Sequence, residues 1–97
     1  MSVLDDVLEE EYSRLVRMKD RMQAEYLDLP KGYISKKMIN GYECYYLQYR
    51  DGSKIVSHYI KPDEYDDLQS AIARRNSLKE SLKNIDVEMK KIERAMK

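Results

Sequence analysis

His58 and Cys44 are the only histidine and the only cysteine, so acid–base or thiol chemistry near neutral pH would run through them. Both fall in strand-like sequence, at positions whose alternation sends their side chains to opposite faces. A Cys–His nucleophile pair needs a shared hydrogen bond, and that geometry argues against one. One Cys and one His are also too few for a four-ligand zinc site. Gly32, Gly41 and Gly52 fall at turns or at a helix stop, which leaves no phosphate-cradling loop. The carboxylates of Glu9-Glu10-Glu11 and of Asp63, Glu64, Asp66 and Asp67 read as solvated charge at helix starts, not as an acid–base pair held in a cleft. The expectation is a protein that is not an enzyme, with no catalytic residue, metal site, cofactor or small-molecule substrate.

The tyrosines carry more information. All nine aromatic residues are Tyr, and Tyr33, Tyr42, Tyr45, Tyr46, Tyr49 and Tyr59 crowd the middle of the chain. Phe would fill a dry core as well, whereas Tyr brings a polar tip suited to surfaces that meet water or a partner. One reading is that these rings cover the wet side of a one-layer sheet. The sharper reading is a recognition surface built from Lys37, Tyr42, Tyr46, Gln48, Arg50, Lys54 and Tyr59.

These residues need a sheet to hold them, and the sequence supplies one. Asn40-Gly41 and Asp51-Gly52 are turn dipeptides that provide the positive φ angles of two-residue hairpin loops. Around them, 33–39, 42–50 and 53–60 are rich in Tyr, Ile and Val, which predicts a three-stranded antiparallel meander. With those two turns, Ile34 faces Leu47 and Leu47 faces Val56, with Met38, Tyr45, His58 and Ile60 on the same core-like face. His58 then lies across from Tyr45 as a half-buried structural residue. The opposite face gathers Tyr33, Ile39, Tyr42, Cys44, Tyr46, Ile55 and Tyr59 with Lys37, Gln48 and Arg50.

Helices flank the meander. Leu4, Leu8, Tyr12, Leu15, Met18, Met22, Tyr26 and Leu29 recur in steps of three and four, an apolar stripe over about 3–28. Ser2 and Asp5 form a capping box at its start, and Pro30 with Gly32 stops it. A second helix over about 62–96 begins at Pro62 with Asp63, Glu64, Asp66 and Asp67 in its first turn and ends among Lys90, Lys91, Arg94 and Lys97. Its stripe is interrupted at Arg75 and then runs Leu78, Leu82, Ile85, Met89, Ile92 and Met96, a coiled-coil spacing. At about 1.5 Å per residue such a helix extends roughly 50 Å. A seven-residue strand spans only about 23 Å. The overhanging seam Leu78, Leu82, Ile85, Met89, Ile92 and Met96 needs a second helix as cover, either the first helix of the same chain or the long helix of a second chain, and a homodimer built on the helices is expected.

The fold class is therefore α+β, one domain over residues 1–97. Its 18 basic and 18 acidic side chains cancel, which argues against a globally basic nucleic-acid binder. The cancellation hides a division. Residues 1–30 hold eight acids against four bases, and residues 31–61 hold six bases against two acids. No apolar run approaches a membrane span, the first residues are acidic rather than signal-like, and a lone cysteine fits a reducing compartment. A cytoplasmic protein without membrane association is expected.

The segments Leu29-Pro30-Lys31-Gly32, Ile39-Asn40-Gly41-Tyr42, Tyr46-Leu47-Gln48-Tyr49-Arg50-Asp51-Gly52 and Ser57-His58-Tyr59-Ile60 resemble small uncharacterised proteins of Firmicutes and their mobile elements. The resemblance covers about residues 29–92 and implies this architecture without an activity. It also brings in inhibition of a host defence nuclease as one possible role. A looser resemblance is to the three-stranded N-terminal DNA-binding domains of tyrosine recombinases. It implies a sheet laid in the major groove, with Tyr46, Gln48, Arg50 and Lys54 at the matching positions. Two function classes follow. One is a dimeric interaction protein offering its sheet to a protein or nucleoprotein partner. The other is a small DNA- or RNA-binding protein using the basic meander as its electrostatic footprint.

Overall fold

The computed structural model describes residues 3–96. Their order is α1 (Val3–Asp28), β1 (Tyr33–Ile39), β2 (Tyr42–Asp51), β3 (Lys54–Ile60), one 3₁₀ turn (Pro62–Glu64) and α2 (Tyr65–Ala95). This is the expected α+β layout, with the strands in the order β1-β2-β3 and both pairs antiparallel. Two compact units result. Leu29–Arg75 contains the sheet and the first part of α2, and the other unit joins α1 to the stretch of α2 from Asn76 onward. The capping box expected at Ser2 lies outside the described residues. Among the described residues no helix is long and apolar enough to cross a membrane.

In the helical unit, Leu15, Ile85 and Ile92 form a buried cluster, and Leu8, Tyr12, Met18, Met22 and Met89 pack against it. The Tyr12 hydroxyl donates to Glu93 at 2.7 Å, and Lys19 pairs with Asp86 at 2.8 Å. These contacts advance by seven along α1 (12 to 19) and retreat by seven along α2 (93 to 86), so the helices run antiparallel with a heptad repeat. Of the two covers open to the seam, α1 of the same chain supplies one directly. A tethered helix bearing a matching stripe competes at high effective concentration with any free partner. Leu78, Ile85 and Ile92 are buried, Leu82 and Met89 are half-buried, and only Met96 of the seam stays exposed.

The other unit follows from its turns. Asn40 and Gly41 both have positive φ, +52° and +83°, as a type I′ turn requires, and Ile34 pairs with Leu47 as expected. The second turn departs from expectation. Its central residues are Gly52 and Ser53, flanked by the pair Asp51–Lys54. Gly52 has φ +62°, and Asn40 is the one non-glycine residue with positive φ among those described. This sign pattern is type II′, which needs glycine only at its first central position. A turn centred on Asp51-Gly52 would have forced a positive φ on Asp51. The register of β3 therefore shifts by two residues, so Leu47 faces His58 and Tyr49 faces Val56. An even shift preserves the faces.

The chain enters and leaves the sheet through equally local devices. Gly32 has φ +117°, and a Cβ there would collide with the Gln48 carbonyl oxygen, so only glycine fits between α1 and β1. Pro62 starts a 3₁₀ turn, closed by Glu64 N–H donating to the Lys61 carbonyl at 2.9 Å, and the α geometry of α2 begins at Tyr65. The Tyr65 ring lies 4.7 Å from that of Tyr45, which anchors the helix start to one face of the sheet.

Candidate functional site

Strand alternation sorts the sheet's residues into two sets with opposite electrostatic character. The face touched by Tyr65 carries Ile34, Lys36, Met38, Glu43, Tyr45, Leu47, Tyr49, Asp51, Lys54, Val56, His58 and Ile60. Ile60 is buried there, and Ile34, Tyr45, Leu47 and Val56 are half-buried. Its charges pair off. Lys36 lies 3.0 Å from Glu43, whose other oxygen accepts from the Tyr45 hydroxyl at 3.1 Å, and Asp51 faces Lys54 across the ladder. The Lys36 hydrogen bond, aided by Tyr45, holds the Glu43 carboxyl below its usual range. The same carboxylate raises the Lys36 ammonium and the Tyr45 phenol, each chiefly through its hydrogen bond.

The opposite face carries Tyr33, Ser35, Lys37, Ile39, Tyr42, Cys44, Tyr46, Gln48, Arg50, Ile55, Ser57 and Tyr59, two cations and no carboxylate. Tyr46 and Tyr59 are directly opposite, with ring centroids 5.8 Å apart edge to face. The Lys37 ammonium lies 4.9 Å from the centre of the Tyr46 ring, a cation–π geometry. Tyr33 is 60% exposed, Tyr42 75%, Ile55 64% and Tyr59 55%. So the structure brings together six of the seven residues the sequence nominated: Lys37, Tyr42, Tyr46, Gln48, Arg50 and Tyr59. Lys54 is the exception. It alternates to the other face, because it opposes Asp51 and shares the parity of Val56 and His58.

His58 also departs from expectation. It lies opposite Leu47 rather than Tyr45 and is exposed, with its ring 5.9 Å from that of Tyr49 and Nε2 3.3 Å from the Tyr49 hydroxyl. The Lys31 ammonium lies over the same Tyr49 ring, 5.4 Å from its centroid. This Lys31–Tyr49–His58 stack escapes the sequence because only the shifted register makes Tyr49 and His58 near neighbours. Met38, assigned to the core-like face, is exposed as well, since it lies at the hairpin end of β1. Cys44 and His58 stand on opposite faces, so no thiol–imidazole pair forms between them. Among the described residues no group of three or more His, Cys, Asp or Glu side chains is placed to hold a metal ion.

What the tyrosine face offers chemically is adhesion: broad rings of low conformational entropy, two aliphatic side chains and fixed positive charge. No curated protein and no solved structure matches the chain. A family model does match over residues 3–70, which takes in α1, the whole sheet and the start of α2, and the chain belongs to that family, a domain of unknown function designated DUF6788.

Proposed function

We propose that this chain is a non-enzymatic binding module that lays its tyrosine face on an acidic patch of a protein partner. The carrying observation is the asymmetry of the sheet: charges neutralise one another on one face, while the other holds Lys37 and Arg50 with no carboxylate among exposed Tyr and Ile side chains. A sheet face that met only water would need no more than ordinary polar residues. Tyr and Arg are the residues most enriched at interface hot spots, typically worth about 2 kcal/mol or more each. On the resemblance of about residues 29–92 to small mobile-element proteins, a host defence nuclease is the partner to test first.

Capture of partners from the native host with a tagged chain, followed by titration of the purified pair, tests the reading. Tyr42→Ala and Tyr46→Ala are each expected to weaken binding by about tenfold or more. Raising salt from 50 to 300 mM is expected to weaken it only a few-fold, because apolar contact dominates. Thermal melts confirm that the variants fold, and Tyr42 is the safer of the two because it is the more exposed. Partner binding indifferent to both tyrosines would overturn the proposal.

A further inference from the structure

β3 is an edge strand, paired on one side only. The two-residue turn before it makes Asp51–Lys54 a hydrogen-bonded pair, and such pairs alternate along an antiparallel ladder. Val56, His58 and Ile60 therefore aim their backbone groups at β2, while Ile55, Ser57 and Tyr59 aim theirs outward. The first hairpin gives the complementary answer: the pair Ile39–Tyr42 assigns even-numbered residues of β2 to β1 and leaves the odd ones for β3. Among the described residues, the backbone hydrogen bonds outside helices and ladders join only Glu64 to Lys61 and Met96 to Ile92. The outward groups of β3 thus make no backbone hydrogen bond among the described residues. Ile55 and Tyr59, whose side chains border this edge, are more than half exposed, and Ser57 is exposed between them.

Sheet edges of this kind are normally blunted by charge. β1 is blunted: its outward set is Ile34, Lys36 and Met38, and two such strands laid antiparallel at full overlap would set Lys36 against Lys36, a destabilising pair. β3 has no carboxylate, and its one charge, Lys54, lies at its end. We propose that β3 pairs antiparallel with β3 of a second copy of this chain, about a two-fold axis at Ser57. In that register Ile55 opposes the partner's Tyr59, Tyr59 opposes the partner's Ile55, and the two serines meet at the axis. All three outward residues then enter hydrogen-bonded pairs, roughly six backbone bonds in total. A shift of two residues either way leaves fewer. Each Ile–Tyr contact is an aromatic–β-branched pair of the kind that stabilises sheets, and serine is small enough to sit against itself. Lys54 opposes the partner's Ile60, so the two Lys54 side chains lie at opposite ends of the joint. With the axis perpendicular to the sheet, both tyrosine faces lie on one side of a six-stranded sheet. The pairing stands independently of the proposed protein partner.

The contact is small beside the roughly 1,200–2,000 Å² of stable complexes, so association in the micromolar range is expected. Sedimentation equilibrium on the full chain is expected to give a mass near twice 11.6 kDa at about 100 µM, falling toward the monomer near about 1 µM. Ser57→Lys and Ser57→Glu each place like charges at the axis on an exposed side chain. Each variant is expected to be monomeric at both concentrations and to melt like dilute wild type. An equimolar mixture of the two is expected to recover the dimer, which only a joint at Ser57 achieves. Wild type that stays monomeric at about 100 µM, or self-association that survives Ser57→Lys, would overturn the proposal. So would masses growing beyond the dimer, the mark of an open-ended β1-to-β3 joint.

Discussion

Glu43 accepts hydrogen bonds from Lys36 and Tyr45 at once, and both donors favour its ionised form. A carboxylate whose folded pKa is depressed contributes stability above its unfolded value, near 4.5, and loses it as pH falls through the lower folded value. Glu43→Gln is therefore expected to melt below wild type at pH 6, with the gap closing as pH drops under about 4. Glu11 is depressed in the same direction by Arg14, so the difference between the two proteins, not the acid limb of either, carries the test. Both members of the Lys36–Glu43 pair are about half exposed, and the gap is expected to shrink in about 1 M salt. Differential scanning calorimetry at four pH values checks both statements. Nothing in the spacing of Lys36, Glu43 and Tyr45 announces this group. It depends on side-chain reach across a ladder, which alternation fixes only as to face. The face itself was legible: Lys37, Tyr42, Tyr46, Arg50 and Tyr59 share it because strand parity survives an even slip in register.

At the level of elements, the α1–α2 pairing rests on few buried side chains, so single truncations are costly. Leu15→Ala is expected to lose about 2–4 kcal/mol, since Leu15 is 5% exposed at the centre of the buried cluster. Val87→Ala, on an exposed position of α2, is expected to change stability by less than about 0.5 kcal/mol. Urea titrations of the two variants decide it, and equal losses would mean that the α1 stripe does not face α2. The helix bounds were readable because Pro30 and Pro62 punctuate the chain, and the break at Arg75 in the apolar repeat falls where one compact unit ends and the other resumes. Two features were not readable. The stripes of α1 and α2 match equally well within a chain or between chains, because periodicity states which residues want cover and not who covers them. The second turn was misplaced because Asp51-Gly52 and Gly52-Ser53 both offer glycine. Only the backbone shows that type II′, which spares a side-chain-bearing residue from positive φ, prevails.

For the whole molecule, the division of charge limits which partners fit. Its six bases give the middle block its positive sign, yet Lys36 is bound to Glu43, Lys54 faces Asp51, Lys31 lies over Tyr49 on the other face, and Lys61 lies past the end of β3. The tyrosine face keeps Lys37 and Arg50. A protein that neutralises Z phosphates shows a slope of log affinity against log salt of about −0.9Z on duplex DNA and about −0.7Z on single strands. Two cations therefore predict slopes of only about −1.8 and −1.4. Proteins that hold nucleic acid through its backbone at physiological salt make several times as many phosphate contacts. Ring stacking from Tyr42, Tyr46 and Tyr59 could add sequence-tolerant affinity for single strands, which makes them the sterner probe. Fluorescence anisotropy with a labelled single strand and a duplex is expected to show no saturable binding at 150 mM salt up to about 10 µM protein. At 20 mM salt any residual binding is expected to follow the shallow slopes above. Lys37→Ala with Arg50→Ala is then expected to abolish it. A dissociation constant below about 1 µM at 150 mM salt, with a slope steeper than about −3, would require more cations than this face holds. That outcome would move the binding surface elsewhere and favour nucleic acid over an acidic protein patch.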